Sequence, residues 1–244
     1  TGTDKQAPGP INYYLSEPMF KMFIGSFLIS VYDPAINFND GFYDLLHIET
    51  PEGTLMRPKS PAALGCRTHA LSRLFDVLSG VLAINSPESS PAAGYGTSPY
   101  FIFSGIDEKD RPFNLMQAMY GGLPGLPIGD GLDGHSWWPA FVNIPTEYLE
   151  TYYPLMVNSY KTGTDSGGAG KNRGGNCNEK LYTILASGIV SIHDDRAKIQ
   201  PWGINGGEPG SSSSKVLIKK DGTQIPLPSK VDNVEVEKGD QILF

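Results

Sequence analysis

The chain is short of positive charge. It carries 19 Lys and Arg against 26 Asp and Glu, a formal net charge of −7. That leaves no basic face for nucleic acid, whose phosphates are held mainly by Lys and Arg. Long apolar runs are also missing. The longest candidate, 19–31, is interrupted by Lys21, Ser26 and Ser30, so no membrane span is expected. Cysteine is scarce: Cys66 and Cys177 stand far apart without a Cys-x-x-Cys. This excludes a disulfide framework and leads us to expect two free thiols in a cytoplasmic protein. No Met stands at position 1 and no secretory signal pattern follows Thr1, so a processed or partial segment is expected.

Familiar catalytic signatures are absent as well. No His-Glu-x-x-His occurs, and His47, His69, His135 and His193 show no metal-ligand spacing among themselves. An open metal site usually needs three protein ligands, so no metal is expected to be held by this segment alone. The run Asp165 to Lys171 imitates a phosphate loop, but Asp165 stands where the pattern needs Gly and Asn172 where it needs Ser or Thr. Gly134-His135-Ser136-Trp137-Trp138 imitates a nucleophile elbow. Trp138 breaks it, because that strained turn needs small residues.

What is present suffices for a sizeable core: 244 residues, 39% hydrophobic and 11% aromatic, with turns marked by 29 Gly and 20 Pro. Pro18 opens a helical run through Met19, Phe20, Phe23, Phe27 and Val31 that Asp33-Pro34 ends. Residues 46–49 read as a strand. A long helix is predicted over 61–84, with Ser60 as N-cap, Pro61 at its first position, and Leu64, Leu71, Leu74, Phe75, Leu78, Val81 and Leu82 on one face. Arg67, one turn from Leu64 and Leu71, is expected to turn inward toward a carboxylate.

Tyr100–Ser104 and Phe113–Met119 read as strands around the charged turn 107–110, and a short helix is expected over 146–152. Beyond it, short β-leaning runs follow at 157–160, 181–186, 189–192, 216–219, 234–236 and 242–244. The predicted class is α+β: a mixed lobe with a long helix over 1–150, then a β-rich lobe over 151–244.

Two glycine-bearing polar stretches are candidates for chemistry. In Gly129-Asp-Gly-Leu-Asp-Gly-His135, the glycines allow close backbone approach. Asp133 and His135 form a candidate acid/base pair, against the plainer reading of a solvated surface loop. In the stretch from Asp165 to Gly175, consecutive N–H groups can cradle an anion beside Lys171 and Arg173. The plainer reading there is structural, with Asp165 in a turn and Arg173 paired to a carboxylate. For His193-Asp194-Asp195-Arg196 a strand end with a local ion pair is expected. Trp137, Trp138, Tyr152 and Tyr153 are expected in the aromatic core rather than against a ligand.

Taken together these segments resemble the hydantoinase B/oxoprolinase family. The likeness runs through Gly9-Pro10-Ile11-Asn12, Asn39-Asp40-Gly41, Pro51-Glu52-Gly53, Asn143-Ile-Pro-Thr-Glu147, Asp165-Ser-Gly-Gly-Ala-Gly170, Arg173-Gly174-Gly175, Asp195-Arg196, Pro201-Trp202-Gly203 and Lys238-Gly239-Asp240. The stretch from Asp130 to Phe141 looks most like the lactamase members.

The resemblance implies a subunit, or part of one, that opens a hydantoin, 5-oxoproline or lactam ring by hydrolysing the cyclic amide C–N bond. A carboxylase-like relative and a purely structural part are the alternatives. It implies ATP handled by a hydantoinase A-like partner subunit, and a divalent metal held outside this segment. Asp133 and His135 are then the catalytic candidates, and Asn12, Asp165 and Arg173 the candidates for binding substrate.

Overall fold

The first helix, α1 (Glu17–Tyr32), forms where the apolar spacing predicts it, with Pro18 in its first turn and Asp33 as its C-cap. Proline is tolerated there because the first N–H groups of a helix have no intrahelical partner. The computed structural model describes residues 4–9, 11–97, 99–137 and 141–244; Pro10 and Trp138, singled out above, lie outside the described residues.

α1 buries Phe20 and Ile29. Tyr13 packs edge-on against Phe20 at 5.7 Å, and Phe27 stacks on Phe75 at 5.5 Å. A one-turn helix α2 (Asp40–Tyr43) is capped by Asn39, whose side-chain oxygen accepts from Phe42 N.

The long helix α3 (Arg67–Ala83) starts six residues later than expected. Two side chains prevent an earlier start. Asn12 Nδ2 donates to Ala63 O and Gln6 Nε2 to Pro61 O, and those are carbonyls that a helix beginning at 61 would use internally. Arg67 is exposed rather than turned inward. The buried positions of α3 are His69, Leu71, Ser72, Asp76 and Ser79, so a polar stripe at helical spacing faces inward, while Val77 and Val81 are exposed. Asp76 lies 3.2 Å from Arg73. Residues 46–49 are not a strand: no strand runs beside them among the described residues to complete a ladder.

All nine named strands lie after residue 99. The hairpin β1 (Tyr100–Ile106) and β2 (Pro112–Ala118) is joined by β3 (Leu155–Thr162), β4 (Asn178–Ile184), β5 (Gly188–His193), β6 (Lys215–Ile218), β7 (Gln224–Leu227), β8 (Lys230–Val236) and β9 (Gln241–Leu243), with α4 (Thr146–Tyr152) preceding β3. They form two antiparallel sheets, ordered β2-β1-β5-β8 and β3-β4-β9-β6-β7.

One apolar core joins the sheets. Phe101, Phe103, Leu115, Val190 and Ile192 come from the first sheet, and Leu155, Tyr182, Ile184, Leu217 and Ile242 from the second. Phe101 stacks on Tyr182 at 4.8 Å. Alternation along β4 buries Lys180, Tyr182 and Ile184 on one side, as period-two pleating requires. Each fully buried Phe, Leu or Ile contributes about 1.5–3 kcal/mol.

The class is α+β. Strand pairing crosses the boundary expected at 150: β1 and β2 sit in one sheet with β5 and β8. The chain divides into Thr1–Pro91 and Ala92–Phe244. Hydrogen bonding between strands binds residues far apart in sequence, and here it draws 100–118 into the later unit. β7, unanticipated, contains Pro226 and lies at a sheet edge, where a missing N–H is tolerated.

Candidate functional site

Beside the sheets of the second unit, three loops are stacked by their backbones. In the first two, Gly175 N donates to Leu123 O, Leu123 N to Leu132 O, Gly131 N to Arg173 O, and Gly134 N to Asn176 O. The third joins through Glu208 N to Ala169 O and Ser211 N to Ser166 O. Glycine makes the spacing possible. A methyl on Gly122 would run into the Gly175 carbonyl, and one on Gly175 into the carbonyl of Leu132. Close approach, rather than left-handed backbone, is the main use of these glycines; Gly134, at φ 53°, is the exception in the first loop.

Asp133 and Arg173, on different loops, meet here. Arg173 Nη1 donates to Asp133 Oδ1 at 2.7 Å and Nη2 to Oδ2 at 3.3 Å. Asn176 N donates to the same carboxylate at 2.8 Å. Asp130 accepts from Arg173 N at 2.9 Å. The Arg173 guanidinium, then the Asn176 N–H, hold the Asp133 carboxyl below its usual range. Asp133 is therefore an ionised brace, with both oxygens engaged.

Two N–H groups of the suspected anion cradle are taken by the protein itself. Ser166 N and Gly167 N both donate to Asn176 Oδ1 at 3.1 Å. Asp165 is exposed at a left-handed turn, φ 49°. His135 is exposed, with its N donating to Gly121 O at 2.8 Å. Its Nδ1 lies 2.8 Å from Ser136 O. A carbonyl only accepts, so Nδ1 carries a proton, and Nε2 is the ring nitrogen outside that bond.

Asn12 belongs to the first unit and is fully buried. It accepts from Ala7 N and donates to Ala7 O, Gly9 O and Ala63 O. Its amide is a clamp on its own segment. Trp137 N donates to the Tyr95 hydroxyl at 2.9 Å. Tyr153 packs on the core, whereas Tyr152 is exposed and lies against Tyr148 at 4.4 Å.

Ion pairs around 193–196 reach residues distant in sequence. Asp194 pairs with Lys215, both buried. His193 Nε2 meets Asp232 at 2.8 Å, and buried Arg196 donates to Gly94 O and Gln200 O. One cluster escaped the sequence reading altogether: Tyr160, whose hydroxyl accepts from Asn143 Nδ2 at 2.7 Å and Asn178 Nδ2 at 3.0 Å, lies over buried Lys180. The inward parity of Lys180 with Tyr182 and Ile184 was the available signal.

Among the described residues no group of three His, Cys, Asp or Glu side chains is placed to hold a metal ion. His47 meets Glu49, His69 is buried in α3, and the other two histidines are engaged as described.

Comparison with known proteins agrees with this architecture. The family model for hydantoinase B/oxoprolinase matches residues 1–244. An uncharacterised protein of Methanocaldococcus jannaschii is 35% identical over 242 residues, 98% of this chain and 41% of that protein. Caprolactamase subunit beta of Pseudomonas jessenii is 27% identical over 182 residues, 70% of this chain and 30% of that subunit. The crystal structure of the ATP-dependent caprolactamase from the same organism superposes with a TM-score of 0.79 at 22% identity, covering 99% of this chain and 44% of that one. A nucleotide-free acetone carboxylase superposes at 0.76 and 20% identity, over 95% of this chain and 36% of that one. The chain thus spans less than half the length of each.

Proposed function

The chain belongs to the hydantoinase B/oxoprolinase family, and from that premise we propose that it works within a B-type subunit of an ATP-dependent hydrolase that opens a hydantoin, 5-oxoproline or lactam ring. The family match along all 244 residues carries this reading. The proposed partner is a hydantoinase A-like subunit that handles ATP, in the cytoplasm, with a divalent metal held outside this segment. Among the described residues, no helix is long and apolar enough to cross a membrane.

A ring amide resists water because its nitrogen lone pair is delocalised onto oxygen. Phosphorylating that oxygen turns it into a leaving group, and water then attacks the activated carbon. In this reading His135 exchanges the proton through its Nε2, and Asp133 is a positioning residue that holds Arg173 and the loop bearing His135. Asp165 and Arg173 are proposed at the rim of the substrate site, and Asn12 holds its own segment in place.

The test is turnover by the full complex with ATP, comparing lactam, hydantoin and 5-oxoproline against a ketone with bicarbonate. Ring opening is expected. Turnover of the ketone alone would assign the carboxylase alternative, to which the acetone carboxylase fold is similar. His135→Ala is expected to lower kcat by about 100-fold or more, the usual worth of a positioned acid or base. Unchanged turnover in both His135→Ala and Asp133→Asn would make these loops a structural shell, the reading that mutual satisfaction of Asp133 and Arg173 favours.

A further inference from the structure

Two lysines are buried in the second sheet, and among the described residues only one has a carboxylate partner. Lys215 pairs with Asp194. Lys180, 2% exposed, has no ion pair among the described residues; its Nζ lies 4.7 Å from the centroid of Tyr160 and 5.4 Å from that of Tyr182. Ring faces recover only part of what an ammonium loses on leaving water. Burial accordingly draws the lysine down to about 8. Among the described residues the group lacks a counterion.

The surroundings offer further donors. Tyr160 is 41% exposed, so the ring above the ammonium meets solvent. Its hydroxyl accepts from the amides of both Asn143 and Asn178, which leaves its own O–H free to donate. Below, Tyr182 donates to Gln117 Oε1 at 2.6 Å, and the Nε2 of Gln117, 1% exposed, has no partner. Asn178 Nδ2 also reaches Gly134 O at 3.2 Å, tying this cluster to the loop that carries His135.

We propose that Lys180, with the Tyr160 hydroxyl, forms a subsite for an oxyanion, taking a phosphate or carboxylate group of a small molecule. The cation supplies the charge that no protein carboxylate balances, and the Tyr160 O–H supplies a directed donor at the solvent-facing rim. This subsite stands apart from the ring-opening chemistry and survives if that assignment fails, because its readout is binding.

The experiment labels the full subunit in its complex with N-hydroxysuccinimide acetate at fixed pH and reads acetylation of Lys180 by peptide mass spectrometry. Matched buffers contain inorganic phosphate, sodium acetate or chloride at equal ionic strength. Phosphate or acetate is expected to slow labelling of Lys180 about tenfold relative to chloride, ~1.4 kcal/mol, while exposed Lys161 reacts equally in all three. Protection by phosphate alone assigns a phosphoryl group; protection by acetate assigns a carboxylate. Tyr160→Phe, which keeps the ring but removes the donor, is expected to lose most of the protection. Equal labelling in all buffers overturns the proposal. So does a Lys180 that takes no label even in chloride, since an ammonium the reagent cannot reach is no site for an external anion. Undiminished protection in Tyr160→Phe would overturn the part given to its hydroxyl.

Discussion

The second unit is held together in two opposite ways. Between the sheets, bulky side chains such as Phe101, Phe103, Tyr182 and Ile242 fill the interior. Among the loops around Gly122, Gly131, Gly167 and Gly175, backbones touch directly with no side chain between them. The difference teaches where each region is vulnerable. A side-chain core loses stability when atoms are removed; a backbone layer loses it when a single atom is added. In the glycine-rich segment the N–H groups of Ser166 and Gly167 are answered by Asn176, and those of Gly174 and Gly175 by neighbouring carbonyls.

Adding one methyl should do more harm than deleting a ring. Gly175→Ala places a carbon against the Leu132 carbonyl and 2.9 Å from Leu123 N. Relief requires breaking the bonds that stack the loops, and the loss is expected to exceed about 4 kcal/mol. Phe101→Ala removes a fully buried ring stacked on Tyr182 and is expected to cost about 3–4 kcal/mol. Urea unfolding of the full subunit checks both; a harmless Gly175→Ala would break the comparison.

Asp133→Asn attacks the brace between two loops rather than their packing. The carboxylate is a third exposed, so solvent moderates its worth, and the expected loss is about 1 kcal/mol at neutral pH. Its pH signature sharpens the assignment. The folded-state pKa is depressed by Arg173 and Asn176 N–H, so the contribution is present above the unfolded value. It is lost as pH falls below about 4. The unfolding midpoints of wild type and Asp133→Asn should therefore converge under acid. Midpoints that stay equally separated at low pH would show that the carboxylate's charge is not what holds the loops.

The smallest effect is expected at the tip of the β1–β2 hairpin. Arg111 pairs with Asp107 at 2.7 Å and is well exposed, and this pair belongs to neither region. Arg111→Ala should leave the unfolding midpoint essentially unmoved, as exposed ion pairs are worth little. A large shift there would mean that the hairpin tip takes part in holding the unit together.

Much of this architecture was legible in the residues. The hairpin could be read because β-leaning runs flank Asp107-Glu-Lys-Asp110, and the end of α4 because Pro154 follows it. The order of motifs was enough to indicate the family. What escaped reading depended on groups distant in the chain. The start of α3 was moved by side chains of Gln6 and Asn12. Residues 46–49 found no neighbouring strand, and Pro226 concealed β7. At the candidate site, Asp133 and Arg173 were each visible, but their bond joins positions 40 apart.

Local propensity, apolar period and turn chemistry act within a few residues, so the sequence by itself determined most strands and helices, the α+β class and the family. Three things were decided only by the tertiary structure. The division at 91 came from strand pairing across 150. The pairing of the Ser166 and Gly167 N–H groups came from Asn176, ten and nine positions further along the chain. The unequal fates of Lys215 and Lys180 came from what each met on burial, Asp194 for one and two tyrosine rings for the other. A buried polar group must find its partner wherever the fold brings one, and that search runs through space rather than along the chain.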